Sequence, residues 1–337
     1  MLYPNFLKPH STIGINAPSD GRTDPLDLIR LDNAYKNLHN RGYNTIETPN
    51  TRTNSNDRSS PPTTRVKELH SLYLNKDISL IISASGGDFM YEILPLLDFN
   101  IIKQNPKWFQ GYSDNTNLTF TITTNLDIAT IYGDNIAAFG MNTYHKSLLD
   151  NLAIIEGKKL EQSSFPKYQN TFPTYKTGLE SYNLDTDTNW INLFAEKDLS
   201  LQGRLIGGCL DVLITLIGTK YDKTQEFIQK YKSDGIIWYL ENCDLNNEQI
   251  SRALFQLESA GWFQNTTGII FGRTLTDKSN YNISYQETIK QALEHLEIPV
   301  IIEADFGHKS PRMTIINGSY ATIKSSNGQG TISYQLK

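Results

Sequence analysis

Along the N-terminal half, short runs of aliphatic and β-branched residues alternate with longer stretches whose apolar positions recur every three or four residues. Thr12-Ile13-Gly14-Ile15-Asn16 is the first such run, and Ala17-Pro18-Ser19 turns the chain out of it. Residues 26–41 carry apolar positions at helical spacing up to a stop at Gly42, and residues 43–47 return to a strand pattern. The stretch 48–64, rich in Asn, Ser, Pro and Arg, predicts a surface loop. Residues 65–74 predict a helix, Ile78-Ser79-Leu80-Ile81-Ile82-Ser83 a buried strand, residues 89–97 another helix, and Trp108-Phe109-Gln110-Gly111-Tyr112 a strand running directly into Ser113. Strand, Gly/Ser/Asp-rich turn and helix in repeated order is how α/β units around a parallel sheet are written.

The periodicity fades between about residues 158 and 189, a polar stretch with several Tyr and Pro. It then resumes with a glycine-studded apolar segment (203–219), strands at 235–240, 268–272 and 298–303, and a helix over 247–261. A chain of 337 residues exceeds what one core usually spans. The expected organisation is therefore an α/β fold of two domains: residues 1–160, a connection over 161–189, and residues 190–337.

The formal net charge is -5 and no lysine or arginine run stands out, which argues against a nucleic-acid polymer or an anionic membrane surface as partner. No charged n-region leads into an apolar segment and no stretch reaches transmembrane length, so a cytoplasmic address is expected. Cys209 and Cys243 lack CxxC spacing, so neither a disulfide framework nor a zinc site is expected, and both thiols are expected to be reduced.

In open α/β sheets functional groups collect beyond the carboxyl ends of the strands. Four such exits carry suggestive residues: Gly86-Gly87, Ser113, Glu241, and Asp305-Phe306-Gly307-His308. Ser113 stands on a sharp strand-to-helix turn, where it is either a displayed nucleophile or a helix cap. Gly111-Tyr112-Ser113-Asp114-Asn115 departs from G-x-S-x-G at its last position, so an ordinary α/β-hydrolase is not supported. A serine nucleophile needs a base. Of the six histidines, His308 alone follows a buried strand and a glycine in a loop able to reach the crevice. Glu241 ends the run Ile236-Ile237-Trp238-Tyr239-Leu240, where a carboxylate can orient the histidine or simply mark a strand edge. The backbone N–H groups of the Gly86-Gly87 turn and of Asp114 are candidate donors to a developing oxyanion.

The ordered set Ala17-Pro18-Ser19, Gly86-Gly87 with Leu94-Pro95-Leu96-Leu97-Asp98, Gly111-Tyr112-Ser113-Asp114-Asn115-Thr116, Gly203-Arg204-Leu205-Ile206-Gly207-Gly208, Leu216-Ile217-Gly218-Thr219, Glu241, Gly272-Arg273 and Gly307-His308 resembles the LD-carboxypeptidase and microcin C immunity family. The resemblance spans nearly the whole chain. It implies an N-terminal parallel-sheet α/β sandwich, a smaller C-terminal swivelling α/β domain, and a cytoplasmic, metal- and cofactor-independent serine peptidase, commonly a homodimer. By motif, Ser113 is nucleophile, Glu241 and His308 complete the triad, and Gly87 with Asp114 supplies the oxyanion hole. One branch of the family trims D-alanine from murein tetrapeptides; the other cleaves the amide joining an aminoacyl or peptidyl group to a modified nucleotide. Cys209 after Gly207-Gly208, Pro106-Lys107 before the nucleophile strand, and Trp190 resemble the second branch. Trp190 is expected either to stack on a nucleobase or to serve as a packing anchor, and Gly86 to contact the substrate. A non-catalytic binder of nucleotide-like ligands is the remaining alternative.

Overall fold

The computed structural model of the chain describes residues 1–171, 174–195 and 198–337. The first half contributes β1 (Thr12–Asn16), β2 (Asn44–Glu47), β3 (Ile78–Ser83), β4 (Trp108–Gly111) and β5 (Thr130–Tyr132), all parallel. The middle holds β6 (Glu161–Ser163), β7 (Lys167–Tyr168) and β8 (Thr186–Asp187). The remainder supplies β9 (Ile191–Asn192), β10 (Leu199–Cys209), β11 (Ile236–Glu241), β12 (Thr266–Gly272), β13 (Val300–Ala304), β14 (Ile315–Asn317), β15 (Tyr320–Ser326) and β16 (Gln329–Gln335). Among the described residues one sheet runs β14-β5-β4-β3-β1-β2, a second runs β6-β16-β15-β10-β11-β12-β13-β9, and β7 pairs with β8.

The central strands are covered on both faces, which is why they read as continuous apolar runs. Along β11 the side chains alternate between two cores: Ile237 and Tyr239 join one, Ile236, Trp238 and Leu240 the other. Both cores draw on both sheets, so Ile13 and Ile15 of β1 share a cluster with Leu205 of β10 and Ile270 of β12. Helix Thr116–Leu126, which follows the Ser113 turn, is buried almost all round. Its Phe120 ring stacks on Trp262 at 5.1 Å, and Trp262 stacks on Trp238 at 5.5 Å. Aromatic burial on this scale fixes the nucleophile turn of the first sheet against the second sheet.

Several expectations need correction. Residues 48–64 are not simply a surface loop. Pro49–Arg52 forms a 3-10 turn, and the buried Asn50 side chain accepts from Asn16 and donates to the Ala17 carbonyl, clamping the end of β1. Residues 89–97 form a 3-10 helix, Met90–Leu96, because Pro95 withholds an N–H from any α-helical ladder. The segment 161–189 is more than a connection, since β6 pairs antiparallel with β16. The division by residue range is also crossed once: β14 returns to the first sheet and pairs with β5, Ile316 opposite Ile131. Strands of two or three residues are too short to carry a period, so the chain's pattern gave no warning of them.

Candidate active site

Ser113 opens the 3-10 turn Ser113–Asn115 directly beyond β4. Its φ is +64°, a left-handed value that a serine holds only when its surroundings impose it. They do so through backbone and side-chain bonds on either side. The Ser113 N–H donates to the Tyr132 hydroxyl at 3.1 Å, and Asn115 Nδ2 donates to the carbonyls of Ser85 at 2.8 Å and Tyr112 at 3.0 Å.

Glu241 is the last residue of β11 and is fully buried. His308 arrives on the loop after β13, where Gly307 has a φ of +96°. A Cβ at position 307 would lie 3.1 Å from the Glu241 side chain, so glycine there lets the loop close onto the carboxylate. The outcome is a continuous chain: Ser113 Oγ lies 3.0 Å from His308 Nε2, and His308 Nδ1 lies 2.7 Å from Glu241 Oε2. An ionised carboxylate can only accept, so Nδ1 carries the proton and Nε2 is left to accept from the serine hydroxyl. Burial by itself would raise the Glu241 pKa. The His308 ring and the hydrogen bonds from His308, Tyr132 and Cys209 outweigh it and hold the carboxyl below its ordinary range.

The loop after β3 closes on the same serine. A Cβ on Gly86 would stand 3.1 Å from Ser113 Oγ, and Gly87 has a φ of +141°, with 2.5 Å from its would-be Cβ to Ser19 Oγ. Among the described residues the N–H groups of Gly87 and Asp114 make no hydrogen bond. The Asp114 side chain looks away from them. It accepts from Ser19 Oγ at 2.5 Å, the Met90 N–H at 2.8 Å and Asn117 Nδ2 at 2.8 Å, and burial pushes its pKa up to about 6.

A cavity of about 270 Å³ opens beside His308, walled by Tyr112, Tyr175, Tyr182, Asp134 and Arg312 among others. Arg312 pairs with Asp134, donates to the Gly307 carbonyl at 2.8 Å and lies 4.1 Å over the Tyr112 ring, whose edge in turn meets His308 at 5.2 Å. The imidazole is thereby held from its backbone side as well as by Glu241.

Trp190 does not join this cavity. It is 2% exposed, its ring lies where a side chain on Gly330 would have to go, and its indole N–H donates to Asp305 Oδ2 at 2.5 Å. That burial favours the packing anchor over the stacking role, because a ring 2% exposed and packed against Gly330 offers no open face to a nucleobase. Cys209 is buried and Cys243 partly so, both are free, and burial raises both thiols. Among the described residues no group of three or more His, Cys, Asp or Glu is arranged to hold a metal ion. No described helix is long and apolar enough to cross a membrane.

Three residues escaped the sequence reading. Tyr132 bridges Ser113 and Glu241. Arg312 clamps the histidine loop. Asp211 accepts from the N–H groups of Cys243, Asp244 and Leu245 at 3.0, 2.9 and 3.2 Å and so organises the turn that follows Glu241. Tyr132 was accessible in principle, since Tyr132-Gly133-Asp134-Asn135 is another strand exit followed by a turn.

Two family models match in tandem: the LD-carboxypeptidase N-terminal domain over residues 13–133 and the LD-carboxypeptidase C-terminal domain over residues 202–323. The chain belongs to the LD-carboxypeptidase family. The probable murein peptide carboxypeptidase of Bacillus subtilis is 24% identical over 334 residues, covering 98% of this chain and 93% of the relative. The microcin C7 self-immunity protein MccF of Escherichia coli is 28% identical over 291 residues, covering 80% of this chain and 78% of its own. In solved structures the fold superposes on an MccF-like protein from Bacillus anthracis with a TM-score of 0.84 at 24% identity, over 100% of both chains. It also superposes on a muramoyltetrapeptide carboxypeptidase from Oxalobacter formigenes with a TM-score of 0.74 at 20% identity, over 96% of this chain and 98% of that one. Family membership makes the mixed α/β fold with two family domains, and a peptidase or hydrolase activity, the frame for the residues above.

Proposed function

We propose that the protein is a serine amide hydrolase working through an acyl-enzyme, with Ser113 as nucleophile, His308 as general base and Glu241 as the group that orients the histidine. The observation that carries this reading is the unbroken chain from Ser113 Oγ through the imidazole to Glu241, built on a serine held at positive φ. His308 Nε2 takes the hydroxyl proton as Oγ attacks the scissile carbonyl, forming the Oγ–C bond. The imidazolium, steadied by Glu241, returns that proton to the leaving nitrogen as the C–N bond breaks. Water then repeats the sequence and releases the acid. The Gly87 and Asp114 N–H groups, free of other acceptors, are suited to receive the oxyanion, and Gly86 leaves room for the substrate above the serine.

For the substrate, we favour the amide between an aminoacyl or peptidyl group and a modified nucleotide. MccF structures hold aspartyl sulfamoyl adenosine and glutamyl sulfamoyl guanosine. The cavity beside His308 supports a similar ligand here: its tyrosine rings and charged groups suit a flat base and a polar linker. Trp190 contributes nothing to that argument. The second reading is a murein tetrapeptide carboxypeptidase, favoured by the Bacillus subtilis relative that aligns along almost the entire chain. The proposed assembly is a homodimer acting in the cytoplasm, checked by sedimentation and by fractionation of the native host.

Incubating the protein separately with an aminoacyl sulfamoyl adenosine and a murein tetrapeptide, and identifying products by mass spectrometry, tests both readings. Release of the free amino acid and the sulfamoyl nucleoside supports the first; release of D-alanine supports the second. Tight binding of either compound with no product would overturn the hydrolase reading in favour of a binder.

A further inference from the structure

The hydrogen bonds around Ser113 form a closed ring, and one of its members has no part in the reaction as written above. Tyr132 ends β5, is 1% exposed, and sends its hydroxyl between the two sheets. That oxygen accepts from the Ser113 N–H at 3.1 Å and donates to Glu241 Oε1 at 2.5 Å. The direction is fixed by chemistry. A backbone N–H can only donate and a carboxylate can only accept, so the single phenol proton lies toward Glu241. The circuit runs from the Ser113 N–H to Tyr132, to Glu241, to His308 and back to the Ser113 hydroxyl.

Two consequences follow from this arrangement. The nucleophile's own N–H is spent on Tyr132, so it is not a donor to an oxyanion, and that duty falls on the Gly87 and Asp114 N–H groups. The two carboxylate oxygens of Glu241 are also divided, Oε1 to tyrosine and Oε2 to histidine, which leaves the carboxylate one orientation. Burial and the adjacent Glu241 charge raise the Tyr132 pKa well above the ordinary phenol value, so it stays a donor throughout the working range.

We propose that Tyr132 is a positioning residue of the reaction: its hydroxyl holds Ser113 in the positive-φ conformation and sets Glu241 for His308. This rests on the acyl-enzyme reading above. Among the described residues the other charged and titratable groups around the ring are Arg312, Asp134, Tyr112, Tyr239, Tyr285 and the Cys209 and Cys243 thiols. Replacing the tyrosine hydroxyl leaves all of them in place.

The test is Tyr132→Phe, read by steady-state kinetics across pH on whichever amide the wild type hydrolyses. The expected fall in kcat is about 10²-fold, the loss typical of a reacting atom displaced by a fraction of an ångström, with KM changed by less than about threefold. A carboxylate stripped of one donor concentrates its charge on the imidazole, so the acidic limb of kcat/KM moves up by about half a pH unit. Tyr132→3,5-difluorotyrosine keeps the shape and both bonds but strengthens the donor. It retains kcat to within about threefold and moves the same limb down. A packing role predicts no limb movement in either variant, and that result, or an unchanged kcat in Tyr132→Phe, overturns the proposal. Should Tyr132→Phe fail to fold, the fluorinated variant alone decides through the direction of its limb. Labelling with a fluorophosphonate, mapped by peptide mass spectrometry, separates the two levels. A wild type that hydrolyses substrate but is not labelled at Ser113 overturns the acyl-enzyme reading itself. Labelling of Ser113 at equal rates in wild type and Tyr132→Phe overturns only the positioning role.

Discussion

At two points among the described residues a ring N–H meets a buried carboxylate: His308 on Glu241 at 2.7 Å, and Trp190 on Asp305 at 2.5 Å. Both carboxylates sit where a central strand of the second sheet ends, Glu241 on β11 and Asp305 just past β13. The surroundings differ in two respects. Asp305 is paired with Arg273, and both side chains have no exposure at all, so its charge is cancelled inside the core. Among the described residues Glu241 has no arginine or lysine within ion-pair distance; its nearest charge-bearing partner is the histidine itself. The indole has one polar atom and spends it on Asp305. The imidazole has a second nitrogen, and that nitrogen faces Ser113 Oγ. A chemical site thus differs from a structural one by what is left incomplete: a carboxylate without its own cation, and a ring with a lone pair still to use.

Substitutions sharpen this contrast, and their effects span several orders of magnitude. Ser113→Ala removes the group the incomplete pair is aimed at, and turnover measured by product release falls by about 10⁴–10⁶-fold with the circular dichroism spectrum unchanged. Glu241→Gln keeps the shape but presents an amide to His308. The ring is then held in the wrong tautomer, and kcat falls by about 10³–10⁴-fold.

The partner substitution, Asp305→Asn, works on the other pair. It strands Arg273 in the core and costs about 3–5 kcal/mol of unfolding free energy by urea titration, while the pH profile of the remaining folded enzyme keeps its shape. A moved acidic limb in Asp305→Asn would mean that the two pairs are not separate in kind. Trp190→Phe is milder, losing about 1–3 kcal/mol through the unsatisfied Asp305 oxygen, with kcat within about threefold of wild type on a nucleotide substrate. A tenfold rise in KM there would return Trp190 to the binding site.

An effect of similar size, read as a pH dependence, distinguishes two carboxyls on either side of the nucleophile. Glu241 is held below its ordinary range, whereas burial lifts Asp114 from 3.8 to about 6. A raised carboxyl contributes stability that is complete below the unfolded pKa and is lost as pH rises through the folded one. The wild type is therefore expected to lose about 2–3 kcal/mol relative to Asp114→Asn between about pH 4 and 7, measured by chemical denaturation. A flat difference across that range would show that Ser19, Met90 and Asn117 compensate the carboxylate fully.

Much of this was legible in the chain. Short apolar runs ending on Ser113, Glu241 and the His308 loop announced both the parallel sheets and the exits where functional groups gather. The helix over Pro25–His39 and the strand Ile78–Ser83 fell within two residues of the periodicity that predicted them. What failed was short or two-sided. β14 and β6 are three-residue edge strands whose place depends on partners more than a hundred residues away. Trp190 precedes a glycine-rich segment in the sequence much as a binding residue could, and nothing local to it reveals that Gly330 leaves the space its ring fills.

By itself the sequence determined which strands are buried, which turns follow them and which residue types stand at their ends, because hydrophobic period and turn chemistry are local properties. The tertiary structure decided everything that depends on distance across the two sheets. It brought Ser113 to within 3.0 Å of a histidine 195 positions later, inserted Tyr132 behind them, and gave Asp305 an arginine that Glu241 lacks. The reason is physical: hydrogen bonds and charge compensation act over a few ångströms of space, and only packing both sheets around shared cores converts separation along the chain into contact.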